Sequence, residues 1–390
     1  MPSTTTVTGV QYSGIWTMQQ VNSAISAGTW PTAVNNTTAL YAWGGNTYGQ
    51  LGTGNITNYS SPKAVGSANA WLSIAAGYYH SVATKSNGTI WSWGYNAQGQ
   101  LGQGNTTNYS SPKQVGALTN WSSIACGFYF TAAIKTDGTL WSWGQNTNGQ
   151  LGLGNTTSYS SPKQVGSLTT WYKVSCQIKG TLAIKTDGTL WSWGQNSVGQ
   201  LGLGNTTQYN SPKQIGALTT WLQISGGNYH AIAIKTDGTI WSWGYNVSGE
   251  LGLGNTVYKS SPNQIGALTT WSSIGNARTY SSFAIKTDGT LWVWGRNRAG
   301  QLGLGNLTYY SSPKQVGSLT NWSKVTANGN IARTGAIKTD GTLWTWGNGT
   351  SGALGLGNTT YYSSPKQVGS LTNWLSVSAG GYWIFATASA

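Results

Sequence analysis

Charge is scarce in this sequence. Of its 390 residues only 7% are Asp, Glu, Lys or Arg, and the acids number six. Five of them recur in one phrase, "K-T-D-G" (Asp137, Asp187, Asp237, Asp288, Asp340), so Glu250 is the single unrepeated carboxylate. Acid–base catalysis needs two groups converging on one substrate, and carboxylates dealt one to a repeat do not converge. The two histidines, His80 and His230, hold the same place in different repeats, which argues against a shared metal or a Ser-His-Asp arrangement. Two cysteines, Cys126 and Cys176, give neither a disulfide framework nor metal-ligand spacing and read as small buried thiols. No catalytic residue, cofactor or metal is therefore expected, and the chain reads as a non-enzyme. Long apolar runs are also missing. The start, "MPSTTTVTGVQ", has neither a basic region nor an apolar core, so neither a signal peptide nor membrane insertion is expected.

Glycine (56), Trp (23) and Tyr (21) fill the space that charge leaves. They recur in register: the second Trp of a "W-x-W-G" phrase falls at Trp43, Trp93, Trp143, Trp193, Trp243, Trp294 and Trp346, an interval of fifty residues that drifts to fifty-one and fifty-two. A period of this length signals a solenoid or a propeller. Within one unit, "WSSIAC" and "TAAIK" read as strands, "TDG" as a hairpin turn, and "TLWSWG" as a third strand with Trp141 and Trp143 on one face. "SPKQVG" is a fourth strand whose Pro confines it to an edge. Four antiparallel strands make a propeller blade. "TALYAWG" (38–44) is a third strand lacking its first two, and 374–387 supplies two strands lacking a third. Joining them closes a ring. The expectation is an all-β, seven-bladed β-propeller over 38–390, closed by N- and C-terminal strands in one blade, with a short extension over 1–37.

The core "W-G-x-N-x-x-G-Q-L-G-x-G" resembles the repeats of the regulator of chromosome condensation family, which implies a seven-bladed propeller. The family's "G-x-x-H" after the first strand is kept only at His80 and His230. Its best-known member exchanges guanine nucleotide on a small GTPase and touches chromatin. Uniform blades with almost no unique acidic surface give no match for that activity.

The net charge of +14 suggests an anionic partner, yet twelve of the twenty basic residues are two sets of copied lysines, six in "K-T-D-G"-type turns and six after "SP". Scaffold solvation is the favoured reading of those. The glycine phrase superficially suggests a phosphate cradle, but a nucleotide loop occurs once and between a strand and a helix, so this one is architecture. Identity must lie where copies differ, namely after the first and third strands, in loops expected to share one face of the disc. Longer inserts and extra basic residues coincide in one sector: Tyr258, Lys259, Arg278, Tyr280, Arg296, Arg298 and Arg333, which includes every arginine of the chain. Arg and Tyr suit rim-and-anchor recognition, so this sector is the candidate contact site for glycan, another anionic polymer or protein, with nucleic acid ranked below them.

Residues 1–37 fall outside the array. "TMQQVNSAISAG" reads as one short helix with a capping box and an apolar stripe, and Trp16, Met18, Val21, Ile25 and Trp30 are its candidate docking residues. The wording "SGIWTMQQVNSAISAGTWP" resembles a segment of virion structural proteins from tailed phages of marine bacteria. That resemblance implies a phage virion protein, a tail or capsid appendage contacting other virion proteins or the host surface and compatible with a homo-oligomer. The alternative is a cytoplasmic, cellular protein-interaction propeller, such as a small-GTPase exchange factor or chromatin binder, or a lectin.

Overall fold

The computed structural model describes residues 38–67, 70–328 and 332–389. The expected N-terminal helix and its docking residues Trp16, Met18, Val21, Ile25 and Trp30 lie outside them.

Seven sheets follow one another along the chain, each with four antiparallel strands, and one of them joins strands from the beginning and end of the described array. We number them blade I (71–114), II (121–164), III (171–214), IV (221–264), V (271–315), VI (322–367) and VII (374–389 with 38–64). In blade II the strands are Trp121–Cys126, Phe130–Lys135, Leu140–Gly144 and Tyr159–Gln164, in that spatial order. First strands from six blades line a central cavity of about 130 Å³, where Cys126 and Cys176 are buried and not joined in a disulfide. The proline-bearing fourth strand is the outer edge of its sheet, where a residue without an N–H leaves no ladder bond unmade.

Why each blade repeats the same words is visible at the junctions. Trp121 packs edge-on against Trp141 and Trp143, with ring centroids 6.3 and 6.0 Å apart, and the group beds against Val82 and Ile90 of the preceding blade. Trp143 is fully buried, and burying a side chain of that size contributes roughly 5 kcal/mol. Its indole Nε1 donates to the Gln100 carbonyl of blade I at 3.0 Å. Gly102 (φ +71°) lies against the same indole, where a Cβ would come within 2.7 Å of Nε1. Inside the loop, buried Asn146 accepts from Leu151 N (2.9 Å) and donates to the Asn155 and Thr157 carbonyls (3.0 Å each). The phrase is thus a loop clamp that docks on the next blade.

The ring closes as expected. Thr38–Gly44 pairs antiparallel with Trp383–Ser389 from Thr38↔Ser389 to Gly44↔Trp383. Pairing of the chain ends removes the two edges an open array would expose.

Backbone bonds also sort the connections onto two faces. On one, here the upper, first–second turns meet third–fourth loops: Tyr95 N donates to Tyr79 O at 2.9 Å, and Gln145 N to Tyr129 O at 2.8 Å. On the lower face the second–third turn meets the link to the next blade, as Trp121 N donates to Gly88 O at 3.1 Å. One element was not legible as a strand: Asn276–Arg278, in the longer insert of blade V, crosses over and pairs parallel with Thr326–Asn328 of blade VI, making that sheet five-stranded.

Candidate functional site

Most polar groups of the chain are already engaged by the scaffold. Lys135 Nζ sits 3.8 Å from the Trp141 ring centroid and 5.1 Å from Trp121. The same seat is occupied by Lys85, Lys185, Lys235, Lys286 and Lys338. Burial lowers the pKa of Lys135. The lysines after "SP" lie over tyrosines in their own strands, Lys113 at 4.4 Å from Tyr109 for example. Both sets are cation–π partners of the framework, which supports the scaffold reading of these twelve charges.

The turn aspartates are fixed as well. Asp137 accepts from Thr139 N (2.9 Å) and Thr139 Oγ1 (2.6 Å), while that oxygen accepts from Trp141 Nε1 at 2.9 Å. These bonds to Thr139 hold the Asp137 carboxyl below its ordinary range. In each of blades II to VI one carboxylate therefore orients one indole on the lower face, and Asn87 takes the same part in blade I.

The first residue of each second strand fills a buried slot under the turn before it. His80 and His230 take it in blades I and IV, with Nε2 3.1 Å from Thr131 Oγ1 and 2.9 Å from Ser282 Oγ of the following blades. Complete burial pushes His230 down to about 3, so it is neutral at physiological pH. A Cβ on Gly77 would meet the His80 ring at 2.1 Å, which is why glycine precedes a ring in this slot. Blade III exchanges the two: Gly180 is in the slot, and Gln177 fills the space from the turn, donating to the Gln200 and His230 carbonyls at 3.1 Å.

Arg333 occupies the slot of blade VI, and this corrects the reading of it as a contact residue. It is 0% exposed and donates from Nη1 to the Gly381 carbonyl at 3.0 Å, while Nε and Nη2 have no hydrogen-bond partner among the described residues. Burial lowers its pKa to about 10. Arg278 falls in the crossing strand, and its side chain lies outside the described features.

Of the remaining predicted residues, Tyr258, Tyr280 and Arg296 meet around Tyr245. On the upper face between blades IV and V, Tyr245 lies 5.0 Å from Tyr258 and 5.5 Å from Tyr280, with Tyr229 at 6.4 Å. The Arg296 guanidinium stands 5.3 Å from the Tyr280 ring centroid. Tyr258 and Arg298 are exposed, Lys259 opens the adjoining fourth strand, and Val247 and Val257 project beside them. Glu250 is completely buried nearby, in the place five other blades give to glutamine and blade VI to Ala353; its Oε2 accepts from Ser248 N at 2.8 Å, and Oε1 has no hydrogen-bond partner among the described residues. Burial raises its pKa to about 7, with Arg296 opposing. With the five aspartates on the lower face and Glu250 buried, the upper face exposes no carboxylate.

Sequence reasoning missed a second aromatic group, across blades VII, I and II. Tyr78 stacks on Phe128 with centroids 3.9 Å apart, and Tyr79 on Tyr382 at 5.5 Å. Tyr48 bridges Tyr79 (5.0 Å) and Tyr95 (4.8 Å), and Tyr129 joins Tyr95 at 5.7 Å. A signal was present in "GYYH", "GFYF", "GNYH" and "GGYW": the residue before the slot is Tyr in five of seven blades (Tyr79, Tyr129, Tyr229, Tyr280, Tyr382). Its carbonyl accepts the N–H of the residue leaving the third strand, so its ring is held at the upper rim.

Comparison with known proteins agrees with this geometry. The Regulator of chromosome condensation (RCC1) repeat matches seven stretches, 39–84, 87–134, 137–184, 187–234, 237–280, 288–331 and 340–387. Protein RCC2 of Mus musculus is 38% identical over 88 residues, 22% of this chain and 17% of that protein. Ultraviolet-B receptor UVR8 of Arabidopsis thaliana is 33% identical over 91 residues, 23% of this chain and 21% of the receptor. Each alignment spans no more than about a fifth of the relative. Among solved structures, human WBSCR16 superposes with a TM-score of 0.80 at 20% identity, covering 90% of this chain and 99% of that one. Prp20p of Saccharomyces cerevisiae gives 0.79 at 20%, covering 90% and 91%. The structural report on Prp20p concerns its binding to Gsp1p and histones. Among the described residues no helix is long and apolar enough to cross a membrane.

Proposed function

Because the chain belongs to the Regulator of chromosome condensation (RCC1) repeat family, we propose that it works as such propellers do best physically, as a rigid platform for a protein partner, without catalysis. The partner docks on the upper face over blades IV and V. One observation carries this reading: four tyrosines and a half-buried arginine converge there on a face without exposed carboxylates, whereas the repeated lysines are spent on framework rings. Tyrosine and arginine anchors are enriched at protein interfaces, tyrosine because it buries a large area with two torsions to freeze and arginine because its planar guanidinium donates several hydrogen bonds and stacks on rings.

The Gsp1p and histone binding of Prp20p is not carried over, since a shared fold at 20% identity transfers no site. Quantitative affinity capture from the source organism, comparing the native chain with a Tyr280→Ala/Arg296→Ala protein, tests the proposal. A specific partner is expected to fall by at least about tenfold, as loss of two anchors costs more than about 1.4 kcal/mol. Arg333→Met, altering a buried residue, is expected to leave capture unchanged. Equal capture by native and double-variant proteins would refute the assignment.

A virion location is the finer reading of this function. It rests on the wording of residues 13–31 alone, outside the described residues, and the comparisons lend it no support. Mass spectrometry of purified phage particles decides it by finding or missing this chain.

A further inference from the structure

The aromatic group over blades VII, I and II is chemically unlike the blade IV–V site. Its rings are partly exposed, and it presents phenol hydroxyls but no surface charge of its own. Arg333, whose charge reaches Tyr382 and Tyr78, has no exposed surface. Burial, then hydrogen bonding to Tyr382 and the neighbouring phenols, holds Tyr79 well above the ordinary tyrosine range. Burial and nearby phenols push Tyr129 up to about 12, and no charged side chain contributes to either shift. These hydroxyls therefore stay protonated and both donate and accept. Half-exposed Gln98 and Gln145 add neutral amides at the rim.

The turns that carry the rings are also tied to one another through their backbones. Tyr78 N donates to Phe128 O (3.3 Å) and Phe128 N to Ile178 O (3.2 Å), tying successive turns together around the cavity mouth. Gly45 N donates to Tyr382 O at 2.8 Å. A ligand meeting this surface has little backbone to order.

We propose that this patch is a second binding site, independent of the blade IV–V interface, and that it takes a neutral saccharide. A pyranose has an apolar C–H face that covers an aromatic ring and a rim of hydroxyls that both donate and accept, matching phenols and amides group for group. An acidic polymer finds a single cation, half-exposed Lys179 in the adjoining turn of blade III at the edge of the patch, and a cationic segment finds no carboxylate. A protein anchor of the usual kind would meet rings without the aliphatic side chains that normally complete a pocket.

Calorimetric titration of the full chain with neutral oligosaccharides of glucose, galactose, mannose and N-acetylglucosamine, with heparin as polyanionic control, tests this. At least one neutral series is expected to bind, with affinity changing less than about twofold between about 50 and 500 mM salt, because no counterions are released. Tyr95→Ala and Tyr129→Ala are each expected to weaken it at least about tenfold, and Tyr95→Phe, which keeps the ring, by about fivefold for one lost hydrogen bond. Tyr280→Ala is expected to leave it unchanged, so this site and the protein interface fail or stand separately. Absence of binding by every neutral series, or salt-sensitive binding of heparin alone, overturns the proposal.

Discussion

Glu250 differs from the glutamine of five sister blades by a single titrating group, and that difference is measurable. Its pKa rises from an ordinary 4.5 to about 7 on burial. The native chain thus holds a proton that the unfolded chain releases, and stability falls as pH climbs from 4.5 through 7. The full shift corresponds to about 3 kcal/mol. Glu250→Gln is expected to melt with the native protein at pH 4 and above it at pH 8; equal melting at both would show the carboxyl to be solvated. Legibility at this scale was uneven. The copied lysines were recognisable as framework because copying leaves no unique site, and the indoles beneath them confirm it. Arg333 was not, since its slot holds His, Phe, Gly, His, Ser, Arg and Trp in turn and only the neighbouring blade decides that the side chain is enclosed.

At the scale of the element, glycine positions separate backbone preference from crowding. Gly138 and Gly166 both have positive φ, +77° and +62°. A Cβ on Gly138 would stand 2.1 Å from the Thr169 carbonyl oxygen in the link to the next blade, whereas one on Gly166 meets nothing within 4 Å. Gly166→Ala is expected to cost about 1 kcal/mol, the left-handed penalty alone. Gly138→Ala adds displacement of the inter-blade junction and is expected to exceed about 2 kcal/mol. Urea midpoints of the two variants measure the contrast, and similar values would mean the turn moves freely. Strands, the Asp-Gly hairpin and the edge proline were all readable because each follows from local stereochemistry. The crossing strand Asn276–Arg278 was not, because its partner, Thr326–Asn328, is about fifty residues away and no local pattern marks it.

Across the whole molecule, what matters is that the ends meet. Thr38–Gly44 completes the blade begun by Trp374–Ala379 and Trp383–Ser389, and this makes seven wedges one body with two unlike faces. The lower face carries copied turns and their lysine–indole seats. The upper face carries unlike loops, and there both aromatic groups stand on turns tied by backbone hydrogen bonds. The period and the unpaired terminal strands were enough to infer the ring. Which tyrosines touch across blades depends on ring orientation, and that required coordinates. Native-state hydrogen exchange of the amides pairing Thr38–Gly44 with Trp383–Ser389 tests closure most directly. The account predicts that they exchange only with global unfolding, as slowly as the central strands of blades II to IV. Rapid exchange of this pairing while the other blades remain protected would show an open array and contradict the platform on which both binding assignments rest.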